Sequence, residues 1–446
     1  MQEGIFDESD DSLNSSRTNA ESYKFELRKI RNSKTFKLST IFVRAFEKPW
    51  KLIFIPFNIL TLFLQSVFKK TQMIVLEENY HGKKSQKKRD CVVFFPTDED
   101  GFEHFSRSLA VAQKINQRNP NMEIIFITTM TSLNIIQDYG FPAYHIPNRK
   151  SFNDMPTSVW NPILQEYIEL VLDNHQPKAF VFDGNYQHFG MIKALANSDG
   201  IFTIEIKRNI KHKLKINENK ASSKPFDAVV KPGVPFDEHQ QDNSSILNVV
   251  YTDPIQLVEF EESPPSREEI RNQLGLPQDA TVVFLQNTEN GYKLLEKEMS
   301  FILDALELVD VWIVIGESIV GSRFQNINSG RIRVIRDYPL TRYYPAFDFT
   351  IMAGAFETFH TSIHHSLPAI CIPTIGIGSE SRDKRIKKAA DKGFMRIVNG
   401  LSEKQLNKTI EDIMDKQNRQ DMWDSVIYLH KPNGADQVSG FILENI

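Results

Sequence analysis

The sequence predicts an α/β protein of two doubly wound domains facing a cleft, preceded by an amphipathic helical extension. Three observations carry this reading. From Cys91 onward, short apolar runs at 91–95, 123–128, 178–182, 201–206 and 226–230 alternate with helical patterns at 104–117, 157–174 and 188–197. That alternation is the mark of βα units around a parallel sheet. The second half repeats it, with apolar runs at 281–285, 311–315, 331–335, 347–352 and 369–373 and helical stretches at 294–308, 357–365, 384–392 and 402–415. Between the halves, Pro232, Pro235, Pro254, Pro264 and Pro265 punctuate a linker. The expected segments are an acidic disordered tail (1–22), a basic amphipathic extension and linker (23–89), a first domain (90–245), a second domain (246–420) and a C-terminal helix (421–446).

Composition supports two folded domains. The 446 residues are 41% hydrophobic and 25% charged, which is ample for two cores. The net charge of −4 carries no nucleic-acid footprint, so no nucleic-acid partner is expected. Cys91 and Cys371 each lie in a strand-like apolar run, which fits buried free thiols in a reducing compartment. The first stretch is acidic and rich in Ser and Asn instead of basic and then apolar, so no signal peptide is expected. A cytoplasmic protein follows.

The tail 1–22 carries Glu3, Asp7, Glu8, Asp10 and Asp11 and almost no core formers. The extension then changes sign, with Arg44, Lys48, Trp50 and Lys51 leading into an uncharged run, Leu52 to Phe68, that includes Phe54, Phe57 and Phe63. A membrane-spanning helix needs about 20 apolar residues, and this run is shorter and interrupted by Pro56. Lys51, Asn58, Thr61, Gln65 and Lys69 form one polar stripe at helical spacing. A helix lying on the inner face of the membrane is the better fit. Spanning the membrane, or packing on protein, are the other readings. The basic run Lys83 to Arg89 is either a solvated connector or a lipid contact.

Three strand–loop–helix junctions carry the candidate chemistry. At the first, Pro96 to Leu109, the acceptor-side candidates are Asp100, Gly101 and Glu103, and His104 opens the helix at a strand carboxyl end. A neutral imidazole there can accept a hydroxyl proton, or it can merely cap the turn. Asp183, at the end of the 178–182 strand, either caps the next turn or binds an acceptor hydroxyl and assists His104. The second junction runs through Gln286, Asn287 and Thr288 into Gly291, a polar turn suited to a diphosphate. The third places Gly354 and Ala355 before a helix starting near Glu357 or Thr358, whose first amides can meet phosphate oxygens. His360, His364 and His365 follow, but no carboxylate or cysteine stands at ligand spacing, and no metal is expected.

In this order the three junctions resemble the GT-B glycosyltransferases related to the enzyme that adds N-acetylglucosamine to lipid I. Gly354-Ala355-Phe356-Glu357-Thr358-Phe359-His360 through Leu367-Pro368 is the most similar stretch, and the likeness covers roughly 90–420. The resemblance implies two Rossmann-like domains, an acceptor in the first and a UDP-sugar in the second, and an inverting displacement without metal or other cofactor. It places Gln286, Asn287 and Thr288 at the donor diphosphate, Gly354, Ala355, Thr358 and Phe359 around phosphate and uridine, and His104 as base. Thr361 stands where the family often has a ribose-binding glutamate, and Asp383-Lys384 where it has an acidic residue followed by glutamine near the sugar. The expected partners are a nucleotide-sugar, a glycan or lipid-linked acceptor, and the membrane surface through residues 23–70. Two rivals stand beside this reading. One is a catalytically silent partner of a second glycosyltransferase subunit. The other is a nucleotide-sugar 2-epimerase.

Overall fold

The computed structural model describes residues 88–97, 102–207, 226–233, 248–257, 265–286, 292–317, 319, 330–373, 379–400 and 402–446. The expected tail and extension, with Arg44, Lys48, Trp50, Lys51, Phe54, Phe57 and Phe63, lie outside the described residues, as do Asp100, Gly101, Asn287 and Thr288.

The first domain runs β1 (Cys91–Thr97), α1 (Glu103–Arg118), β2 (Glu123–Thr128), α2 (Leu133–Asp138), β3 (Ala143–His145), α3 (Thr157–His175), β4 (Ala179–Gly184), α4 (Phe189–Ala196), β5 (Phe202–Ile206), β6 (Ala228–Pro232) and β7 (Asn248–Thr252). Its seven strands pair in the order β3-β2-β1-β4-β5-β6-β7, every pair parallel. A parallel sheet covered on both faces needs apolar side chains in both directions, which is why β1 is a continuous apolar run. Val92 and Phe94 enter one core with Phe105 and Leu109 of α1. Cys91, Val93 and Phe95 enter the other with Trp160, Leu164 and Ile168 of α3.

The second domain comprises α5 (Arg267–Leu274), β8 (Val282–Gln286), α6 (Tyr292–Leu306), β9 (Trp312–Glu317), β10 (Ile332–Arg336), β11 (Phe349–Met352), α7 (Phe356–His364), β12 (Ala369–Cys371), α8 (Ser379–Asp391), β13 (Met395–Ile397), α9 (Glu403–Met414) and α10 (Lys416–Ser425). Its sheet is also wholly parallel, in the order β10-β9-β8-β11-β12-β13. Ser266 caps α5 in a reciprocal box with Glu269, and Gly275 closes it at φ +63°. Arg271, a residue of this helix, is fully buried. Its guanidinium donates to the carbonyls of Ala346, Pro277, Gln278 and Ala280 and to Asp348, so the buried cation is fully partnered.

Two expected boundaries move. The first domain does not end at 245, because Asn248–Thr252 adds β7 to its sheet through Val249–Val229 and Val250–Val230 pairing. Nor is 421–446 one helix. Lys416–Ser425 and a 3₁₀ turn, Val426–Tyr428, lie on the second domain, where Val426 and Leu429 join its core. The chain then returns as α11 (Gly434–Glu444), whose Ala435, Val438 and Ile442 join the first core. The return is held at its turn, where Gly434 N donates to Pro254 O at 2.9 Å and Asn433 exchanges hydrogen bonds with the Gln256 backbone. A Cβ on Gly434 would lie 1.9 Å from Asp253 O, so the crossing requires glycine there.

Both sheets belong to one unit, Lys87–Ile446. Ile319 and Tyr338, which follow β9 and β10, pack against the first-domain core beside Phe102. The carboxyl edges of the two sheets therefore face one another, and that is where the loops of both domains converge. Among the described residues no helix is long and apolar enough to cross a membrane.

Candidate active site

The alternation along β4 decides what happens at its end. Ala179 and Val181 face the core beneath α1, whereas Phe180 and Phe182 face the opposite core. Asp183 continues the first set and so projects under α1, at the end of the apolar run, with no solvent exposure. There it meets the first two turns of α1. His104 Nδ1 lies 2.6 Å from Asp183 Oδ1 and 2.9 Å from Arg107 Nη2; because an ionised carboxylate only accepts, the tautomer that satisfies it carries its proton on Nδ1. Arg107 donates to the same carboxylate through Nε to Oδ2 at 2.9 Å and Nη2 to Oδ1 at 2.6 Å. Its third nitrogen, Nη1, donates to Glu103 Oε1 at 2.8 Å. Burial alone would push the Asp183 carboxyl up, but the Arg107 and His104 charges and hydrogen bonds more than offset it and hold it below the usual carboxylate range. The site is thus a buried, ionised aspartate shared between an imidazole and a guanidinium.

His104, Asp183 and Glu103 are therefore brought together as one cluster. Arg107 belongs to it equally and is not among the residues expected from sequence. The signal was its spacing, three residues after His104 and four after Glu103 on one helix face. Gly184 follows Asp183 because β1 and β4 crowd there: an added Cβ would lie 2.1 Å from Thr97 Oγ1. Glu205 of β5 is a second buried carboxylate missed in the sequence. It faces the other side of the sheet from Asp183 and accepts from Gln187 Nε2 at 2.9 Å. Burial raises its pKa, against the pull of Lys207.

In the second domain, Gln286 ends β8. Gly354 leaves β11 at φ +81°, where a Cβ would lie 2.5 Å from Ile386 Cδ1 and 2.9 Å from Cys371 Sγ. Its carbonyl accepts from Arg385 Nη2 at 3.0 Å. Ala355 then caps α7, and the helical ladder begins with Phe359 N donating to Ala355 O at 3.0 Å. α7 thus starts at the carboxyl edge of the sheet, where the positive end of its dipole favours an anion. Thr358 turns its hydroxyl back to Ala355 O at 3.2 Å, and Thr361 is buried a turn further on. Asp383 is exposed on α8.

Phe359 requires a correction. Its ring is fully buried among Met352, Ile386 and Phe394, with the Arg385 guanidinium 5.0 Å from its centroid. It is a core residue supporting the helix start, and its side chain is closed to a nucleotide. Arg385 joins that support from α8, and nothing in its local sequence signalled it.

The three histidines of this region diverge. His360 is buried between the rings of Phe356 and Phe359, at 4.3 and 5.1 Å. His364 stacks on His430, and His365 lies against Tyr344 at 5.0 Å. Among the described residues, the group whose metal-ligating atoms converge is elsewhere: Cys91, Glu123 and His175, within 4.8 Å of one another at the amino edge of the first sheet. Glu123 is already paired with Arg89 at 2.7 Å and His175 at 3.0 Å. Burial pushes the Cys91 thiol up to about 12, which keeps its proton on at neutral pH. The group is an ion-pair network closing the edge away from the cleft.

No protein-family model and no curated protein matches the sequence. Solved structures do match across both sheets. The spinosyn forosaminyltransferase SpnP has a TM-score of 0.56 at 12% identity, covering 79% of this chain and 98% of its own. The fold is GT-B. The glycosyltransferase VinC, solved in complex with dTDP, follows with a TM-score of 0.54 at 12% identity, over 80% of this chain and 99% of its own. A Listeria monocytogenes protein described as a UDP-N-acetylglucosamine 2-epimerase has a TM-score of 0.52 at 10% identity, over 80% of this chain and 95% of its own. Identities this low tie the chain to these GT-B proteins by fold.

Proposed function

We propose that this GT-B chain is a glycosyltransferase, a hexosyltransferase moving a sugar from a UDP-sugar to a lipid-linked or cell-envelope glycan acceptor. The observation that carries the reading is the buried His104–Asp183–Arg107 cluster at the carboxyl edge of the first sheet. The start of α7 lies at the same edge of the second sheet. With Nδ1 directed at Asp183, Nε2 of His104 takes the acceptor hydroxyl proton as that oxygen attacks the anomeric carbon. The bond to the diphosphate breaks on the opposite face, which inverts the centre. Asp183, held ionised, stabilises the imidazolium. The positive end of the α7 dipole meets the charge of the leaving diphosphate, so no metal is invoked.

An apolar acceptor is supported by exposed side chains at the rim of the first domain: Phe152, Val159, Ile163, Tyr186 and Phe189, the last with Lys193 4.9 Å from its ring. Residues 23–70 supply the proposed contact with the cytoplasmic face of the membrane, which sedimentation of the full chain with anionic vesicles would test.

Titration of the full chain with UDP, with and without EDTA, tests the donor site. Binding that EDTA leaves intact and Thr358→Trp abolishes supports the reading, and labelled UDP-sugars with a lipid-linked acceptor then identify the product. The 2-epimerase reading draws on the Listeria neighbour and requires an epimerised sugar nucleotide to form with no acceptor present. Thr361, in place of a glutamate, favours a silent partner subunit. Failure of UDP, GDP and dTDP alike to bind would select it.

A further inference from the structure

Tyr338 belongs to the second domain, just after β10, yet its ring lies on the first, 5.0 Å from Phe102 and 5.8 Å from Phe105. Its hydroxyl is 2.7 Å from Ser106 Oγ. Ser106 Oγ spends its own proton on Phe102 O, also at 2.7 Å, so Tyr338 is the donor in this contact. Phe102, Phe105 and Ser106 bracket His104 in the opening turn of α1. On its own side Tyr338 is anchored just as firmly. Its amide donates to Asp337 Oδ1 at 2.7 Å, and Asp337 Oδ2 accepts from Tyr343 at 2.6 Å and Arg342 at 3.3 Å. Tyr343 is part of the second-domain core. An unbroken chain of contacts therefore runs from the core of the second domain to the turn that carries His104.

We propose that Tyr338 is a positioning residue. Through Ser106 and the two phenylalanines it seats the first turn of α1, and so sets where the His104 imidazole stands relative to a ligand held by the second domain. The inference rests on His104 being the base of the proposed transfer. It goes beyond that reading by making the efficiency of His104 depend on a residue of the opposite domain.

Tyr338→Phe keeps the ring and removes the donor. The expected result is a roughly tenfold fall in kcat, the worth of one hydrogen bond, with KM for the sugar nucleotide unchanged. Ser106→Ala reads the same contact from the first domain and should match it, and the double variant should be no worse than either alone. A second readout needs no turnover. In the ¹⁵N-histidine spectrum of the full chain, the His104 signal, assigned by its loss in His104→Gln, should titrate with a displaced midpoint in Tyr338→Phe. An unchanged kcat or an unchanged His104 titration overturns the proposal. If the parent chain turns over no sugar nucleotide, the functional reading fails separately, and the titration alone decides the role of Tyr338.

Discussion

At the scale of single residues, the buried cluster around Asp183 makes distinct predictions for each member. His104→Ala removes the proposed base and should lower kcat by about 10²- to 10⁴-fold while leaving UDP affinity intact. Asp183→Asn removes the fully buried carboxylate of the Arg107 pair and leaves the guanidinium only the partly exposed Glu103. It should cost on the order of 3 kcal/mol of stability as well as activity. Thermal melts beside kinetics separate the two: His104→Ala with a lowered Tm but near-parental kcat would sink the catalytic reading. Gly354 is bound by geometry of another kind. At φ +81°, with Ile386 and Cys371 inside contact distance of any Cβ, Gly354→Val should cost roughly 2–4 kcal/mol and weaken UDP binding by displacing the start of α7.

Elements are held by their ends. α5 is secured by the Ser266–Glu269 box on one side and by Arg271 on the other. Ser266→Ala should cost about 1 kcal/mol. Arg271→Leu removes the donor from four backbone carbonyls and one of the two guanidinium partners of Asp348, which keeps Arg267, and should cost roughly 3 kcal/mol or more. Urea melts of the two variants give the comparison, and equal losses would contradict the brace assigned to Arg271. α7 is supported from below by Phe359 and by Arg385, which reaches Gly354 O. Its start is thus mounted on a rigid base, the arrangement a phosphate site needs.

For the whole molecule, pH is the informative variable. Burial, aided by His364, pushes His365 down to about 3 from its ordinary 6.5. Below the ordinary value the unfolded chain takes up a proton that the folded chain refuses, so stability is lost as pH falls from 6.5 towards 3. The loss from this group approaches roughly 4 kcal/mol at the bottom of the window. Asp183 acts further down: its depressed carboxyl contributes stability above the ordinary aspartate value of 3.8, and that contribution is lost only as pH falls below 3.8 towards the lower folded value. A stability profile between pH 3 and 7 should therefore slope upward, and His365→Asn should flatten its upper part. A parental slope in that variant would show that His365 is not the group responsible.

Much of this protein was legible in the chain because the relevant signals are local. Apolar runs of a few residues set the strands, and 3.6-residue spacing set α1, α3 and α9. His104 and Asp183 could each be singled out, since both stand where an apolar run meets a polar turn. What joins them could not be read locally. They are 79 residues apart, and Ser106 and Tyr338 are 232 apart. Those meetings depend on strand order, on the parity of β4 beneath α1 and on the docking of one domain against the other. The same cause explains the boundary at β7, the return of α11 to the first domain, and Phe359 facing inward. Periodicity within a window determines what an element is, whereas partners are chosen by the packing of whole sheets, and only the tertiary structure decides those.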